Sequence, residues 1–378
     1  MSILLADLYL QYQSIKSEID AAIASVIRDS AFIRGPYVEV FEEDFARLAG
    51  APHCVSCANG TDALYIAMLA LGVRPGDEII TTAHSWISTS AMITRTGATV
   101  VFCDTDKETY TIDPEAVASA ITPRTVGIIP VHLYGQPADM ASIMAIARKH
   151  GLWVIEDCAQ AHLARFGGRL VGTFGEAATY SFYPGKNLGA MGDAGAIVTG
   201  DAALAARMAT IARHGGLSKH EHQIEGINSR LDGLQAAILS VKLRHLPQWT
   251  EARQTAARLY DARFAEVEGV QAPGNATGRT HVYHLYVIQH SHRDALAAHL
   301  NANGVQTGIN YRVALPFLEA YRRFGHRPEQ FPNAHRNQAR ILSLPLFAEI
   351  TSEQQAKVAD LVAGFSANVR PGRTDGQT

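Results

Sequence analysis

One lysine lies in a turn where an amine could act as a nucleophile. The sequence SFYPGKNLG (residues 181–189) places Lys186 after an aromatic, strand-like run, in a turn broken by proline and glycine. Only seven of the 33 lysines and arginines are lysines, and the other six have polar or helical surroundings in the sequence. Removal from water lowers the pKa of an amine and frees its lone pair for Schiff-base formation. The same position would also suit a solvated lysine in a loop at the start of a helix.

An acidic residue follows a predicted strand upstream of this lysine. Residues 152–156 form a short apolar run with β-branched side chains, typical of a buried strand, and Asp157 comes next. Ligands of open α/β sheets bind at the carboxyl ends of strands. Asp157 could therefore pair with the pyridine nitrogen of pyridoxal phosphate, and Gln160 could hydrogen-bond its phenolic oxygen. The alternatives are a helix N-cap for Asp157 and a helix-surface amide for Gln160.

A third segment has the features of a phosphate anchor. Residues 54–58 predict a strand of small residues, and Asn59-Gly60-Thr61-Asp62 then opens an apolar helical run over 63–71. Gly60 would let the backbone approach an anion, with the amides of Thr61 and Asp62 and the helix dipole directed at it. Ser181 could add a hydroxyl group. The same tetrapeptide is also a good turn and N-cap, so this signal is weak alone.

Together these segments resemble the DegT/DnrJ/EryC1/StrS family of sugar aminotransferases, which are pyridoxal-phosphate enzymes of fold type I. The resemblance covers nearly the whole chain, which makes it more specific than any single motif. Its segments, in order, are IRGP with FE (33–36, 41–42), NGTDAL (59–64), EDCAQAH (156–162), SFY with KN (181–183, 186–187), NSRLD with QAA (228–232, 235–237) and SLPL (343–346).

The resemblance assigns roles to individual residues. It implies that Lys186 binds the cofactor as a Schiff base and that Asp157 and Gln160 contact the pyridine nitrogen and the phenolic oxygen. It further implies that Gly60, Thr61, Asp62 and Ser181 bind the cofactor's phosphate and that the ring of Trp86 stacks on the cofactor. It also implies a homodimer with shared active sites, in which Asn228 of the partner chain reaches the phosphate. The alternatives are a core tryptophan and an asparagine that only caps its own helix.

Two departures from the common family pattern concern the substrate. Residues 189–195 read GAMGDAG, where many members have an acidic residue followed by two glycines. This version resembles the branch that makes 3-amino sugars, which favours a 3-keto-6-deoxy sugar on a dTDP-type nucleotide over a 4-keto sugar. Pro316 stands where many members have histidine, so contacts to the sugar or nucleotide cannot be inferred there. The resemblance implies L-glutamate as the amino donor.

Two other functions compete with an aminotransferase. Sugar dehydratases of the same family have histidine in place of the lysine, so Lys186 argues against that activity. A regulatory or sugar-binding relative could keep the fold and have lost turnover. The complete set of Lys186, Asp157 and Gln160 speaks against such a relative without excluding it.

The composition predicts a cytoplasmic enzyme. The chain has 378 residues, enough for a large core, and its net charge of −3 gives no electrostatic reason for nucleic-acid or membrane binding. The N-terminal apolar run is too short for a signal peptide, and no stretch approaches the length of a membrane span. Four cysteines and sixteen histidines occur without a partnered zinc spacing, so no metal site is expected.

The element pattern predicts an α/β fold with a mostly parallel sheet in a large domain and a smaller C-terminal α+β domain. We expect strands at 78–83, 99–104, 127–133, 152–156, 179–183, 194–199 and 282–289, and helices at 88–96, 114–121, 139–150, 201–246 and 293–303. Pro247 marks an expected change of register. The predicted domains are therefore residues 1–246 and 247–370, with a disordered tail over 371–378.

Overall fold

The computed structural model describes residues 2–218 and 220–369. The helices are α1 (Leu8–Ser14), α2 (Lys16–Asp29), α3 (Pro36–Ala49), α4 (Gly60–Ala70), α5 (Ser88–Arg95), α6 (Pro114–Ala120), α7 (Met140–His150), α8 (Ala202–Ala212), α9 (Gly233–Phe264), α10 (Arg293–Ala302), α11 (Pro332–Arg340) and α12 (Ser352–Asn368). The strands are β1 (His53–Cys57), β2 (Glu78–Thr82), β3 (Thr99–Cys103), β4 (Thr125–Ile129), β5 (Trp153–Asp157), β6 (Arg165–Phe166), β7 (Arg169–Leu170), β8 (Ala177–Ser181), β9 (Gly195–Thr199), β10 (Val270–Gln271), β11 (Arg279–Thr280), β12 (Tyr286–His290) and β13 (Ile341–Leu344).

A seven-stranded sheet forms the centre of the described chain, in the order β1-β9-β8-β5-β4-β2-β3. The strands β3, β2, β4, β5 and β8 are parallel, and β9 runs antiparallel to both of its neighbours. Every residue of β2 and β9 is buried, as expected for a sheet covered by helices on both faces. This arrangement confirms the predicted fold class.

Two strand ends differ from the sequence prediction for local reasons. The strand expected over 127–133 ends at Ile129 because Pro130 follows and cannot donate a backbone hydrogen bond. The strand expected over 282–289 begins only at Tyr286, since Tyr283 has a positive φ of 46° and cannot be extended. The remaining predicted strands and crossover helices of the large sheet agree with the structure within two residues at each end.

The helical prediction for residues 201–246 is wrong over its middle part. α8 ends at Ala212, and α9 begins at Gly233. Between them Gly215 has φ +84°, and a Cβ there would lie 1.7 Å from the carbonyl oxygen of Ile224, so the chain needs glycine and cannot remain helical. The loop brings Ser229 against the start of α4.

The expected change of register at Pro247 does not occur. α9 continues through Pro247 to Phe264, held by burial of Leu246 and Trp249 on either side of the proline. The helix packs against α2, α3 and α12. The boundary proposed between residues 246 and 247 therefore falls inside one helix that serves both parts of the chain.

The C-terminal part has the predicted α+β character. It contains the antiparallel sheet β10-β12-β13, covered by α10 and α12. The tail prediction, residues 371–378, lies outside the described residues. Within the described part of the chain, no helix is long and apolar enough to span a membrane.

Candidate active site

A cavity of about 820 Å³ opens at the carboxyl ends of the central strands. β5 and β8 end in it at Asp157 and Ser181, and α4 starts beside it. The predicted residues that line the cavity are Gly60, Thr61, Asp62, Trp86, Asp157, Gln160, Ser181 and Lys186. Four distant segments of the sequence therefore converge at one edge of the sheet.

Lys186 lies in a closed turn, and no helix starts there. The turn is fixed by backbone hydrogen bonds from Lys186 to Tyr183 (2.8 Å) and from Ala190 to Phe182 (2.7 Å). The buried ammonium group of Lys242, on α9, donates to the carbonyl oxygen of Gly189 (2.7 Å). Burial lowers the pKa of the Lys186 amine to about 8, although the charge of Asp157 opposes this shift. A substantial fraction of this amine is thus neutral near physiological pH.

Asp157 ends β5 and is buried between two donors. Oδ2 accepts a hydrogen bond from Thr89 Oγ1 (2.8 Å), and Oδ1 accepts one from the Ala159 amide (3.1 Å). Burial raises the pKa of this carboxyl, while the two hydrogen bonds and Lys186 lower it. The residues that follow Asp157 form turns rather than a helix, which excludes the N-cap alternative.

Gln160 is buried and both ends of its amide are engaged. The Tyr134 backbone amide donates to Oε1 (2.6 Å), and Nε2 donates to the Tyr311 hydroxyl oxygen (2.9 Å). These two partners fix which end of the amide carries the nitrogen. One Nε2 hydrogen remains for a ligand in the cavity.

The start of α4 has the form of an anion site, with one difference from the prediction. Gly60 packs so closely on Ser181 that a Cβ would lie 2.7 Å from the Ser181 Cβ. The Asp62 amide is not free, because it donates to the Asn59 side chain (2.8 Å). In the part of the chain that the structure describes, the amides of Gly60 and Thr61 have no acceptor. These two amides and the Ser181 hydroxyl remain available.

Trp86 lies at the rim of the cavity, with 58% of its surface exposed. It is therefore not a core residue. Its ring lies 5.7 Å from that of Tyr311, between centroids. An exposed indole at the mouth of a cavity can cover a planar ligand.

Asn228 is the one predicted residue that does not line the cavity of its own described chain. It is exposed and forms a β-bridge with Arg213. The next helix has Asp232 as its N-cap, so Asn228 does not cap it. Its neighbour Ser229 is buried; the hydroxyl donates to Asp62 (2.7 Å) and accepts from the Ala58 amide (3.0 Å).

Three groups that could bind a metal lie together below the cavity. Ligand atoms of His132, Glu156 and Cys158 lie within 4.8 Å of one another. The Glu156 carboxylate accepts hydrogen bonds from His132 Nε2 and from three amides of the 172–175 loop. His132 Nδ1 accepts one from the Ala138 amide (3.0 Å). We interpret this cluster as a structural anchor for the loops around β5, since these polar atoms already have partners.

Sequence reasoning missed several residues of the cavity. Thr89, Arg253, His284 and Asn310 contribute to the wall but belong to no motif. Tyr311 was not predicted either, although it lies in the same segment as Pro316. The residues after 250 reach the cavity through the packing of the C-terminal part on α9, for which the sequence gives no local signal.

The donor set fits pyridoxal phosphate. A neutralisable amine, a buried carboxylate and an amide with a spare hydrogen share one cavity with two unpaired backbone amides and a serine hydroxyl. These groups match the aldehyde, ring nitrogen, phenolic oxygen and phosphate of the cofactor in chemical type.

One family model and several known proteins are similar to this chain over nearly its whole length. The model of the "DegT/DnrJ/EryC1/StrS aminotransferase family" matches residues 13–363. A "Pleiotropic regulatory protein" of Geobacillus stearothermophilus is 46% identical over 97% of this chain and 99% of its own. The dTDP-3-amino-3,4,6-trideoxy-alpha-D-glucose transaminase of Streptomyces venezuelae is 40% identical over 96% of both chains. The crystal structure of S. venezuelae DesV in complex with a ketimine intermediate matches with a TM-score of 0.96 and 39% identity, covering 98% of this chain and 100% of that one.

Proposed function

This chain belongs to the DegT/DnrJ/EryC1/StrS aminotransferase family and is an aminotransferase that uses pyridoxal phosphate, and we propose that it moves an amino group from L-glutamate to a nucleotide-linked keto sugar. The observation that carries this proposal is the cavity that unites Lys186, Asp157 and Gln160. We propose a 3-keto-6-deoxy sugar on a dTDP-type carrier, which yields a 3-amino sugar. The name of the Streptomyces relative and the GAMGDAG segment support this choice over a 4-keto sugar.

Lys186 is proposed to hold the cofactor and to move the proton. When bound, the cofactor supplies a conjugated pyridine ring that accepts the electron pair released at the reacting carbon. The incoming amino group of glutamate displaces the Lys186 amine. Nζ then takes the proton from the α-carbon of glutamate as a general base. In the second half of the reaction the same amine would deliver a proton to the sugar carbon. The amino group has to be taken from glutamate before it can be given to the sugar, so 2-oxoglutarate would leave first and the amino sugar last.

Asp157 and Gln160 are proposed to orient and polarise the cofactor. The Asp157 carboxylate holds a proton on the pyridine nitrogen, and Thr89 and Ala159 keep its two oxygens in place. The free Nε2 hydrogen of Gln160 binds the phenolic oxygen. The amides of Gly60 and Thr61 and the Ser181 hydroxyl would bind the phosphate and Trp86 would cover the ring, while the amide of Asp62 stays bonded to Asn59.

We propose that the enzyme is a homodimer whose two sites are shared. Asn228 is exposed and lies outside the cavity of its own chain, yet its loop is bonded through Ser229 to the proposed phosphate site. In a twofold dimer, such a residue can reach the equivalent site of the partner. Asn228 would then donate to the phosphate held by the other chain.

The substrate is tested with the purified protein, L-glutamate and a panel of dTDP- and UDP-linked sugars with a keto group at C3 or C4. We expect turnover of the 3-keto dTDP sugar, followed as 2-oxoglutarate release and amino-sugar formation. Activity confined to a 4-keto sugar, or to a UDP carrier, would contradict that part of the proposal. D-glutamate and L-alanine serve as control donors.

A regulatory function is the second candidate, and the name of the Geobacillus relative favours it. An enzyme must bind the cofactor as a yellow Schiff base and lose that colour when L-glutamate is added. A protein that stays colourless with pyridoxal phosphate, or yellow in the presence of glutamate, would support a regulatory or sugar-binding role instead.

A further inference from the structure

Tyr311 enters the cavity from the C-terminal part of the chain and contacts Gln160. Its hydroxyl oxygen accepts a hydrogen bond from Gln160 Nε2 (2.9 Å), while the Tyr134 amide donates to Gln160 Oε1 (2.6 Å). Reversal of the amide would place Nε2 against the Tyr134 N–H, so that two donors would face each other. The Tyr134 and Tyr311 contacts therefore select one orientation of this amide.

The position of Tyr311 does not depend on Gln160. Nε2 of the buried His84 lies within hydrogen-bond distance of both the backbone amide (3.1 Å) and the carbonyl oxygen (3.0 Å) of Tyr311, and the Tyr311 ring packs beside Trp86. Burial lowers the pKa of His84 to about 4, so its ring stays neutral, and its tautomer decides whether Nε2 accepts from the Tyr311 amide or donates to the Tyr311 carbonyl oxygen. Burial also raises the pKa of the Tyr311 phenol, which keeps the hydroxyl protonated at neutral pH. Tyr311 is thus a fixed hydrogen-bonding group at the cavity wall.

We propose that Tyr311 is a positioning residue that holds the Gln160 amide so that its second Nε2 hydrogen stays directed at the phenolic oxygen of pyridoxal phosphate. This inference rests on the role proposed above for Gln160. Tyr311 acts through the amide, because its hydroxyl oxygen occupies the first Nε2 hydrogen and leaves only the second for the ligand. Without the hydroxyl, the amide would keep its bond to Tyr134 but lose the contact that sets the angle of Nε2.

The colour of the lysine-bound cofactor reports on this hydrogen bond. A donor at the phenolic oxygen stabilises its negative charge, which makes the neighbouring Schiff-base nitrogen less basic. Loss or misdirection of the donor should make that nitrogen more basic. The pH at which the yellow, protonated form changes to the deprotonated form should then rise.

The test measures this colour midpoint by absorbance titration in wild type, Tyr311→Phe, Gln160→Leu and the double variant. We expect Tyr311→Phe to raise the midpoint by about half to one pH unit, the size of one neutral hydrogen bond. Gln160→Leu should raise it by at least as much. The double variant should match Gln160→Leu alone, because the proposal has Tyr311 act on the cofactor through the Gln160 amide.

Tyr321→Phe is the matched control. Tyr321 is a buried tyrosine of the C-terminal part, and its hydroxyl makes one 2.8 Å hydrogen bond, to Ser90. Neither of these two residues lines the cavity. Removal of the Tyr321 hydroxyl should leave the colour midpoint unchanged. A shift of the midpoint in this control would instead indicate a general loosening of the C-terminal part. Tyr311→Met, which also lacks the hydroxyl, replaces Tyr311→Phe if the latter does not yield folded protein by near-ultraviolet circular dichroism.

The possible outcomes distinguish the role of Tyr311 from the proposed contact between Gln160 and the cofactor. A shift in Gln160→Leu with none in Tyr311→Phe would overturn the role of Tyr311 alone. No shift in either variant would overturn the proposed contact of Gln160 and with it the inference. Additive shifts in the double variant would show that Tyr311 acts on the cofactor independently of Gln160, which also contradicts the proposal.

Discussion

The lowered pKa of Lys186 predicts the pH dependence with which the cofactor-free protein captures pyridoxal phosphate. Only the neutral amine attacks the aldehyde. With a pKa of about 8, roughly one molecule in eleven has a neutral Lys186 at pH 7. An ordinary lysine at 10.4 would give about one in 2,500, so burial increases the reactive fraction more than 200-fold.

The assay mixes cofactor-free protein with pyridoxal phosphate and follows the appearance of the yellow absorption at several pH values. The initial rate should rise about tenfold per pH unit below pH 8 and level off above it. Surface lysines provide the internal control, since their reaction with free pyridoxal phosphate should still be increasing at pH 9. The protein must stay folded throughout, which far-ultraviolet circular dichroism checks.

The Asp157→Asn variant tests whether the midpoint of this pH profile belongs to Lys186. The Asp157 charge raises the pKa of Lys186, so its removal should shift the midpoint of the profile to lower pH. The variant should still bind cofactor but turn over far more slowly, because an amide cannot keep the pyridine nitrogen protonated. A wild-type midpoint near 10 would refute the argument that burial lowers this pKa, and an upward shift in Asp157→Asn would refute the opposing effect assigned to the Asp157 charge.

Three further predictions concern single residues. Lys186→Ala and Lys186→Arg should each lose several orders of magnitude in turnover, since one lacks the amine and the other stays protonated; a tenth of wild-type activity in coupled glutamate assays would disprove the assignment. Asn228→Asp should weaken cofactor binding severely through repulsion of the phosphate. Refolded with Lys186→Ala it should recover roughly a quarter of wild-type activity, and no recovery in proven mixed dimers would mean unshared sites. His162→Phe should stabilise the fold, because both ring nitrogens of this buried histidine lack partners and burial lowers its pKa to about 3. Between pH 6.5 and 3, His162 binds a proton in the unfolded state but not in the folded state, which destabilises the wild type. The gain in free energy of unfolding from His162→Phe should therefore be larger by about 2 kcal/mol at pH 5 than at pH 7. Urea titrations that show no such difference would contradict this prediction.

Much of the candidate site could be predicted from the sequence because its main residues lie at the ends of regular elements. Asp157 directly follows one predicted strand, Ser181 lies in another, and Gly60 precedes a predicted helix. In the structure they stand at the ends of β5 and β8 and at the start of α4, and the geometry of a parallel sheet brings them to one edge. The type of each side chain then limits its chemistry. The roles of these residues remain predictions that the variants above test.

Local patterns were insufficient where packing overrides propensity. The sequence predicts that a helix would change register at Pro247, but α9 continues through it, with Leu246 and Trp249 buried on either side. It also predicts helix across Gly215, where close backbone packing against Ile224 instead requires a loop. The Asp62 amide was expected to be free, and the side chain of Asn59 occupies it.

By itself, then, the sequence determined the α/β class, the order of the elements and the chemical groups, because hydrophobic periodicity and residue type are local properties. Only the tertiary structure decided how these groups act on one another. The lowered pKa of Lys186 arises from burial under segments distant in sequence, and the direction of the Gln160 amide depends on Tyr311, 151 positions away. Desolvation and hydrogen-bond direction depend on the neighbours that the folded chain supplies, and no local pattern contains them.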